Sequence, residues 1–107
     1  MKEVSVQELK SMQDNNENFV LIDVREQHEF EIAQIGGTLI PMGEVMDNLD
    51  KIPKDPDTKV IVHCRSGGRS GAIVQALEGM HGYTNCYNLT GGILAYADQI
   101  DPSLTKY

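Results

Sequence analysis

The segment His63-Cys64-Arg65-Ser66-Gly67-Gly68-Arg69-Ser70 contains the residues of this chain that are best suited to chemistry. An apolar run, Lys59-Val60-Ile61-Val62, precedes it, and a helix-like run follows it. Two consecutive glycines allow backbone conformations in which successive N–H groups turn to one side of a loop. Such a loop binds anions, so the sequence predicts that Cys64 is a nucleophile on an anion-binding turn.

The surroundings of Cys64 also predict a thiol that ionises readily. The helix expected to begin near Arg69 points its free N–H groups and its positive dipole end into the loop. A helix terminus stabilises an anion by about 0.3–1 kcal/mol and each hydrogen bond to a charged group by about 1.5–3 kcal/mol. Several backbone donors therefore outweigh the dipole, and Arg65 and Arg69 add formal positive charge. We expect Cys64 to be a thiolate at neutral pH.

The spacing of the loop indicates what it holds. Four residues separate Cys64 from Arg69, whereas cysteine phosphatases have five and cradle the three equatorial oxygens of a phosphoryl group. The shorter loop resembles that of the rhodanese family, in whose sulfurtransferases a six-residue loop holds a sulfur atom on the cysteine as a persulfide. The resemblance implies that Cys64 is catalytic and that the rest of the segment binds substrate and persulfide, namely Arg65, Ser66, Gly67, Gly68, Arg69 and Ser70.

The resemblance covers nearly the whole chain. Residues 21–30, 35–41 and 88–96 resemble the first, second and closing sequence blocks of the family. Departures, such as Tyr96 where Trp is usual, lie away from the Cys64 loop. The tail after residue 91 is similar to that of rhodanese domains fused to adenylyltransferases that activate sulfur-carrier proteins. This similarity suggests a sulfur relay, and the alternative is a terminal segment that only packs over the sheet.

Three residues near the loop have expected roles outside the chemical step. Asp23 ends a strand at the same sheet edge as Cys64 and should be a structural carboxylate that accepts backbone hydrogen bonds. The resemblance implies that Arg25 braces this edge. His63 should point away from the Cys64 sulfur, because adjacent residues of a strand face opposite sides.

Arg65, within the loop, is interpreted as a guide for an anionic substrate, with a solvated surface charge as the alternative.

Strands alternate with helices along the chain, which predicts a parallel sheet with helices on both faces. The rhodanese resemblance implies a three-layer α/β/α sandwich with a mostly parallel five-stranded sheet. The expected strands are residues 4–6, 19–24, 38–40, 59–63 and 85–89. The expected helices are one after a Ser5–Glu8 capping box, then 26–32, about 43–50, one from about 69 to a stop at Gly82, and 92–99. The helix after the loop is expected to bury Ile73, Ala76, Leu77 and Met80.

Length and charge limit the classes of partner. At 107 residues the chain is expected to form a single domain, residues 1–107. Nine basic and sixteen acidic residues give a net charge of −7, which argues against nucleic acid and anionic membranes as partners. The N-terminus has no signal pattern, and no apolar run approaches the ~20 residues of a membrane span. We therefore expect a cytoplasmic protein.

The two cysteines are too far apart to form a Cys-x-x-Cys pair. Cys86 is interpreted as a small buried hydrophobe, with a resolving thiol as the alternative. The three histidines show no metal-ligand spacing with either cysteine, so no metal is expected.

The resemblance implies a sulfurtransferase that needs no cofactor. Cys64 would accept sulfur from a small donor, thiosulfate or a persulfide, and pass it to a thiol, a protein acceptor or cyanide. Two alternatives are a phosphatase or arsenate reductase of the related fold, and a persulfide-binding module without turnover.

Overall fold

The computed structural model describes all 107 residues and contains one five-stranded, fully parallel sheet. Its strand order is β1-β5-β4-β2-β3. The strands are β1 (Glu3–Val4), β2 (Phe19–Asp23), β3 (Thr38–Leu39), β4 (Lys59–His63) and β5 (Cys86–Leu89). The helices are α1 (Val6–Asp14), α2 (Gln27–Ile32), α3 (Gly68–His81) and α4 (Gly92–Gln99). The prediction of an α/β sandwich around a parallel sheet is confirmed.

The core consists of two apolar layers, one on each face of the sheet. Successive side chains of a strand face opposite sides, and β4 divides its buried residues accordingly. Val60 and Val62 pack with α3, whereas Ile61 packs with α1 and α4. All three side chains are fully buried, as expected for the central strand of the sheet. The segment that follows β4 therefore begins at a well-packed strand.

The register of the central strands determines which residues meet at the sheet edge that carries the candidate site. Asp23 of β2 pairs with His63 of β4, and Val62 of β4 pairs with Asn88 of β5. The carboxyl ends of parallel strands lie at one edge of the sheet. Cys64 therefore lies at the same edge as Asp23 and Asn88.

The N-terminal helix begins with the expected capping box. The Ser5 hydroxyl accepts the N–H of Glu8, and the Glu8 carboxylate accepts the N–H of Ser5. Because Ser5 caps the helix, Val6 belongs to α1, and the expected strand over residues 4–6 is wrong beyond Val4.

The expected α-helix over residues 43–50 is also wrong. This segment forms two 3₁₀ helices, Met42–Asp47 and Leu49–Lys51. Asn48 separates them: its N–H donates to Val45, three residues back, and its side-chain amide donates to the Glu44 carbonyl. These local bonds replace the i→i−4 pattern that an α-helix needs.

Helix α3 ends as predicted but buries a different set of residues. Gly82 terminates it with a left-handed backbone, φ +70°. The buried face runs through Ser70, Ile73, Val74 and Leu77, whereas Met80 is 77% exposed because the last turn extends beyond the core. None of the helices is both long enough and apolar enough to cross a membrane.

Candidate active site

The Cys64 sulfur lies in the loop between β4 and α3. The side chain is 1% exposed, and Sγ accepts the N–H of Gly67 at 3.1 Å. The N–H groups of Ser66 and Ser70 also lower the pKa of this thiol. Gly67 has φ +109°, which favours glycine, but Gly68 already belongs to α3 and has no left-handed backbone. The turn therefore depends on Gly67 alone rather than on both glycines.

The loop lowers the pKa of the Cys64 thiol. Burial by itself raises this pKa, but hydrogen bonds from the Ser70 hydroxyl and from the N–H groups of Ser70, Gly67 and Ser66 outweigh it. The Ser70 hydroxyl lies 3.3 Å from Sγ. The thiolate is thus favoured by neutral dipoles, including those of the first turn of α3.

The outer side of the same loop is held by the N-terminus of α4. Ile93 donates its N–H to the carbonyl oxygen of Cys64 at 3.0 Å, and Leu94 donates to that of Arg65 at 3.1 Å. These bonds satisfy free donors of α4. Because a peptide unit is planar, they also fix the orientation of the loop peptides. Gly92, with φ +59°, allows this close approach.

A Gly92→Ala substitution is expected to destabilise the chain by about 2–5 kcal/mol, combining left-handed strain with overpacking. An added Cβ would lie 2.5 Å from the Arg65 carbonyl oxygen and 2.7 Å from that of Cys64, and these backbone atoms cannot move aside locally. Urea unfolding measures the change.

Gly79→Ala is the matched control, because Gly79 lies in α3 and its added Cβ meets nothing within 4 Å. This substitution should stabilise the chain by about 0.5–1 kcal/mol. Equal effects of the two substitutions would contradict the close contact between α4 and the loop.

The arginine that closes the loop is paired with a carboxylate. Arg69 forms two bonds to Glu29 of α2, at 2.6 and 2.8 Å, and this pairing raises the pKa of Arg69. The sequence predicts that both arginines add formal positive charge at the anion. Glu29 instead neutralises Arg69, so the charge balance at the loop differs from the expectation.

The Glu29–Arg69 ion pair should make the stability of the fold depend on pH. Chiefly through its bonds with Arg69, the pKa of Glu29 falls from 4.5 to about 2. A carboxyl with a lowered folded-state pKa stabilises the fold above its unfolded-state pKa and loses that contribution as pH falls. The stability difference between the native chain and Glu29→Gln should therefore shrink between pH 4.5 and about 2. Urea unfolding at several pH values measures this difference, and a constant difference would contradict the pairing.

Asp23 and Arg25 form an ion pair with both side chains fully buried. Arg25 Nη2 lies 2.7 Å from Asp23 Oδ2, and Nε lies 2.9 Å from Oδ1. The remaining guanidinium donors bond to the carbonyl oxygens of Glu29 and Ala33 and to the Tyr107 hydroxyl. Arg25 thus connects the end of β2 to α2 and to the C-terminal segment, and neither residue contacts the sulfur.

His63 faces away from the sulfur, as strand alternation predicts. Its Nδ1 lies 3.2 Å from the carbonyl oxygen of Cys64, and its Nε2 lies 3.5 Å from Asp23 Oδ2. Burial lowers the pKa of His63, so the ring is neutral and acts as part of the loop's support.

Tyr107 connects the two arginines of the loop. Its hydroxyl donates to Glu29, the partner of Arg69, at 2.9 Å. Its ring lies 5.1 Å from the Arg65 guanidinium, which also donates to the Tyr107 carbonyl. The C-terminal segment therefore packs against the candidate site as well as against the core, where Leu104 lies.

Cys86 is fully buried, and burial raises its pKa to about 11. A buried thiol with a raised pKa is unreactive.

The sequence did not reveal three groups that support the loop. They are the Asn88 side chain, which bonds to Gly67 and Ser70, the Glu29–Arg69 pair and the N-terminus of α4. A polar residue within the apolar strand β5 and the two glycines before α4 were the available signals. The Glu29 pair had none, because it joins residues 40 positions apart.

Comparisons with known proteins show what the sequence and the fold are similar to. The rhodanese-like domain family matches residues 5–99. The Rhodanese-like/PpiC domain-containing protein 12, chloroplastic, of Arabidopsis thaliana is 38% identical over the whole chain. The probable adenylyltransferase/sulfurtransferase MoeZ of Mycobacterium tuberculosis is 32% identical over 97% of it. The chain spans only 38% and 26% of the lengths of these two proteins.

The crystal structure of a rhodanese-like domain protein from Staphylococcus aureus superimposes with a TM-score of 0.83 at 30% identity. The match covers 100% of this chain and 99% of that one. Fold and sequence thus agree, and the chain belongs to the rhodanese-like domain family, which includes sulfurtransferases.

Proposed function

We propose that the chain is a sulfurtransferase in which the Cys64 thiolate accepts a sulfane sulfur and holds it as a persulfide. The observation that supports this most directly is the buried Sγ bonded to the Gly67 N–H at 3.1 Å. Membership of a family with sulfurtransferase members agrees with the proposal.

The loading step follows from an activated thiolate. With thiosulfate as donor, Cys64 Sγ attacks the outer sulfur atom and a new S–S bond forms. The S–S bond of thiosulfate breaks, and sulfite leaves with the electron pair. The product is a cysteine persulfide whose negative charge lies on the outer sulfur, within reach of the loop's N–H groups.

The transfer step regenerates the enzyme. A nucleophilic acceptor, cyanide or a thiolate, attacks the outer sulfur, the persulfide bond breaks, and the thiolate of Cys64 leaves with the electron pair. With cyanide the product is thiocyanate. Neither step requires a metal or an organic cofactor, since the sulfur is held by the protein itself.

The exposed positive charge at the loop supports an anionic sulfur donor. Arg65 is exposed at the loop tip, where it can guide an anionic donor such as thiosulfate or a persulfide. A protein thiol is a suitable acceptor, and the similarity to MoeZ agrees with a sulfur-carrier pathway. We place this chemistry in a reducing compartment such as the cytoplasm, where both cysteines remain free thiols.

A turnover assay tests the proposal. The native chain should form thiocyanate from thiosulfate and cyanide with ping-pong kinetics. It should not hydrolyse an aryl phosphate, because the loop is one residue shorter than that of a cysteine phosphatase. Persulfide formation without turnover would indicate a binding module, and aryl phosphate hydrolysis without thiocyanate formation would indicate a phosphatase.

A further inference from the structure

The Asn88 side chain bonds to both parts of the loop that contact the sulfur. Asn88 lies in β5 and is 4% exposed. Its amide nitrogen donates to the Gly67 carbonyl at 3.1 Å, and its amide oxygen accepts the Ser70 hydroxyl at 2.6 Å. A carbonyl oxygen can only accept, so the contact with Gly67 fixes the orientation of the amide.

The Ser70 hydroxyl has one proton and two neighbouring acceptors. Its Oγ lies 2.6 Å from Asn88 Oδ1 and 3.3 Å from Cys64 Sγ, and the side chain is fully buried. When Cys64 is a thiol, its S–H can donate to Ser70 while Ser70 donates to Asn88. A thiolate can only accept, so it competes with the Asn88 oxygen for the single Ser70 proton, and the Asn88 oxygen loses its donor when that proton turns to the sulfur.

We propose that Asn88 is a positioning residue that competes with the Cys64 sulfur for the Ser70 proton and thereby sets the nucleophilicity of Cys64. Its role in sulfur transfer rests on the proposed function. When the persulfide forms, the negative charge moves to the outer sulfur, and Ser70 can donate to Asn88 again. When sulfur is passed on, the thiolate returns and the Ser70 proton turns back.

The other hydrogen bonds of Gly67 and Ser70 indicate how removal of the Asn88 amide would shift the ionisation of Cys64. The Gly67 carbonyl also accepts the N–H of Gly71 at 3.0 Å, so the loop keeps this bond when the Asn88 amide is removed. Ser70, by contrast, loses its shorter bond and has the sulfur as its remaining acceptor. Removing the amide should therefore favour the thiolate.

The test is the pH dependence of iodoacetamide alkylation at Cys64, with every variant made in a Cys86→Ala background so that one thiol remains. Asn88→Ala should lower the pKa of Cys64 by about one unit, a tenfold change in the thiolate-to-thiol ratio. Ser70→Ala should raise this pKa. In the Ser70→Ala background, Asn88→Ala should no longer lower it, which is the signature of action through Ser70. An equal shift in both backgrounds, or a raised pKa in Asn88→Ala, would overturn the proposal.

Two further variants separate this role from support of the fold. Asn88→Leu keeps the branched heavy-atom shape of Asn without its hydrogen-bonding groups, and it should lower the pKa of Cys64 as expected for Asn88→Ala. Asn85→Ala is the matched control, because Asn85 is buried and donates to the carbonyls of Pro53, Asp55 and Thr58, far from the sulfur. It should reduce stability and leave the profile unchanged. Alkylation is measured without a sulfur donor, so a failure of sulfur transfer contradicts the proposed function alone.

Discussion

A Cys64→Ala variant is expected to form thiocyanate no faster than the uncatalysed reaction between thiosulfate and cyanide. The sulfur atom of Cys64 forms the covalent intermediate in both steps, and no other side chain can replace it. The alternative thiol, Cys86, is fully buried with a pKa raised to about 11. Initial rates of thiocyanate formation measure the loss.

Cys86→Ala is the control for this variant, because it also removes one buried sulfur. Both substitutions should destabilise the chain by about 1–2 kcal/mol through lost packing, but Cys86→Ala should keep the native turnover. If Cys64→Ala retained turnover and Cys86→Ala lost it, the assignment of the nucleophile would be wrong.

Asp23→Ala is expected to destabilise the chain by about 3–5 kcal/mol, because it leaves the fully buried Arg25 guanidinium without its carboxylate. Domains of this size have a total stability of about 5–15 kcal/mol. The variant should therefore unfold at a much lower urea concentration, and urea titration measures this shift.

The exposed pair Lys10–Asp14 provides the contrast. Its atoms lie 2.9 Å apart, close to the separation in the buried pair, but both side chains are about half exposed. Asp14→Ala should therefore leave the urea concentration at the unfolding midpoint nearly unchanged, because solvent screens the exposed pair. Similar losses in Asp14→Ala and Asp23→Ala would show that burial of the Asp23–Arg25 pair has no special effect.

The sequence predicted those parts of the fold that depend on local patterns. Apolar runs indicated the central strands, the Ser5–Glu8 capping box indicated the start of α1, and Gly82 indicated the end of α3. The segment over residues 42–51 was predicted wrongly because bonds made by Asn48 favour 3₁₀ geometry over a regular α-helix. Met80 fits the apolar spacing of α3 but lies on an exposed last turn, which spacing alone does not reveal.

For the candidate site, the sequence predicted the position of the loop but not the groups around it, and the role of Cys64 as nucleophile stays a prediction. The loop is local, so Cys64, Gly67 and the start of α3 could be read together. The sequence predicted positive charge from Arg69 but not its neutralisation, because its partner Glu29 reaches it only in the folded chain. The contacts from Asn88 and from α4 likewise depend on the pairing of β4 with β5.

The mass of the protein after incubation with thiosulfate shows whether Cys64 carries a sulfane sulfur. Intact-protein mass spectrometry should show one added sulfur atom, located by peptide mapping at Cys64 and removed by cyanide. The Cys64→Ala variant should show no addition under the same conditions. A native chain that gains no sulfur, or gains it equally in the Cys64→Ala variant, would contradict the account.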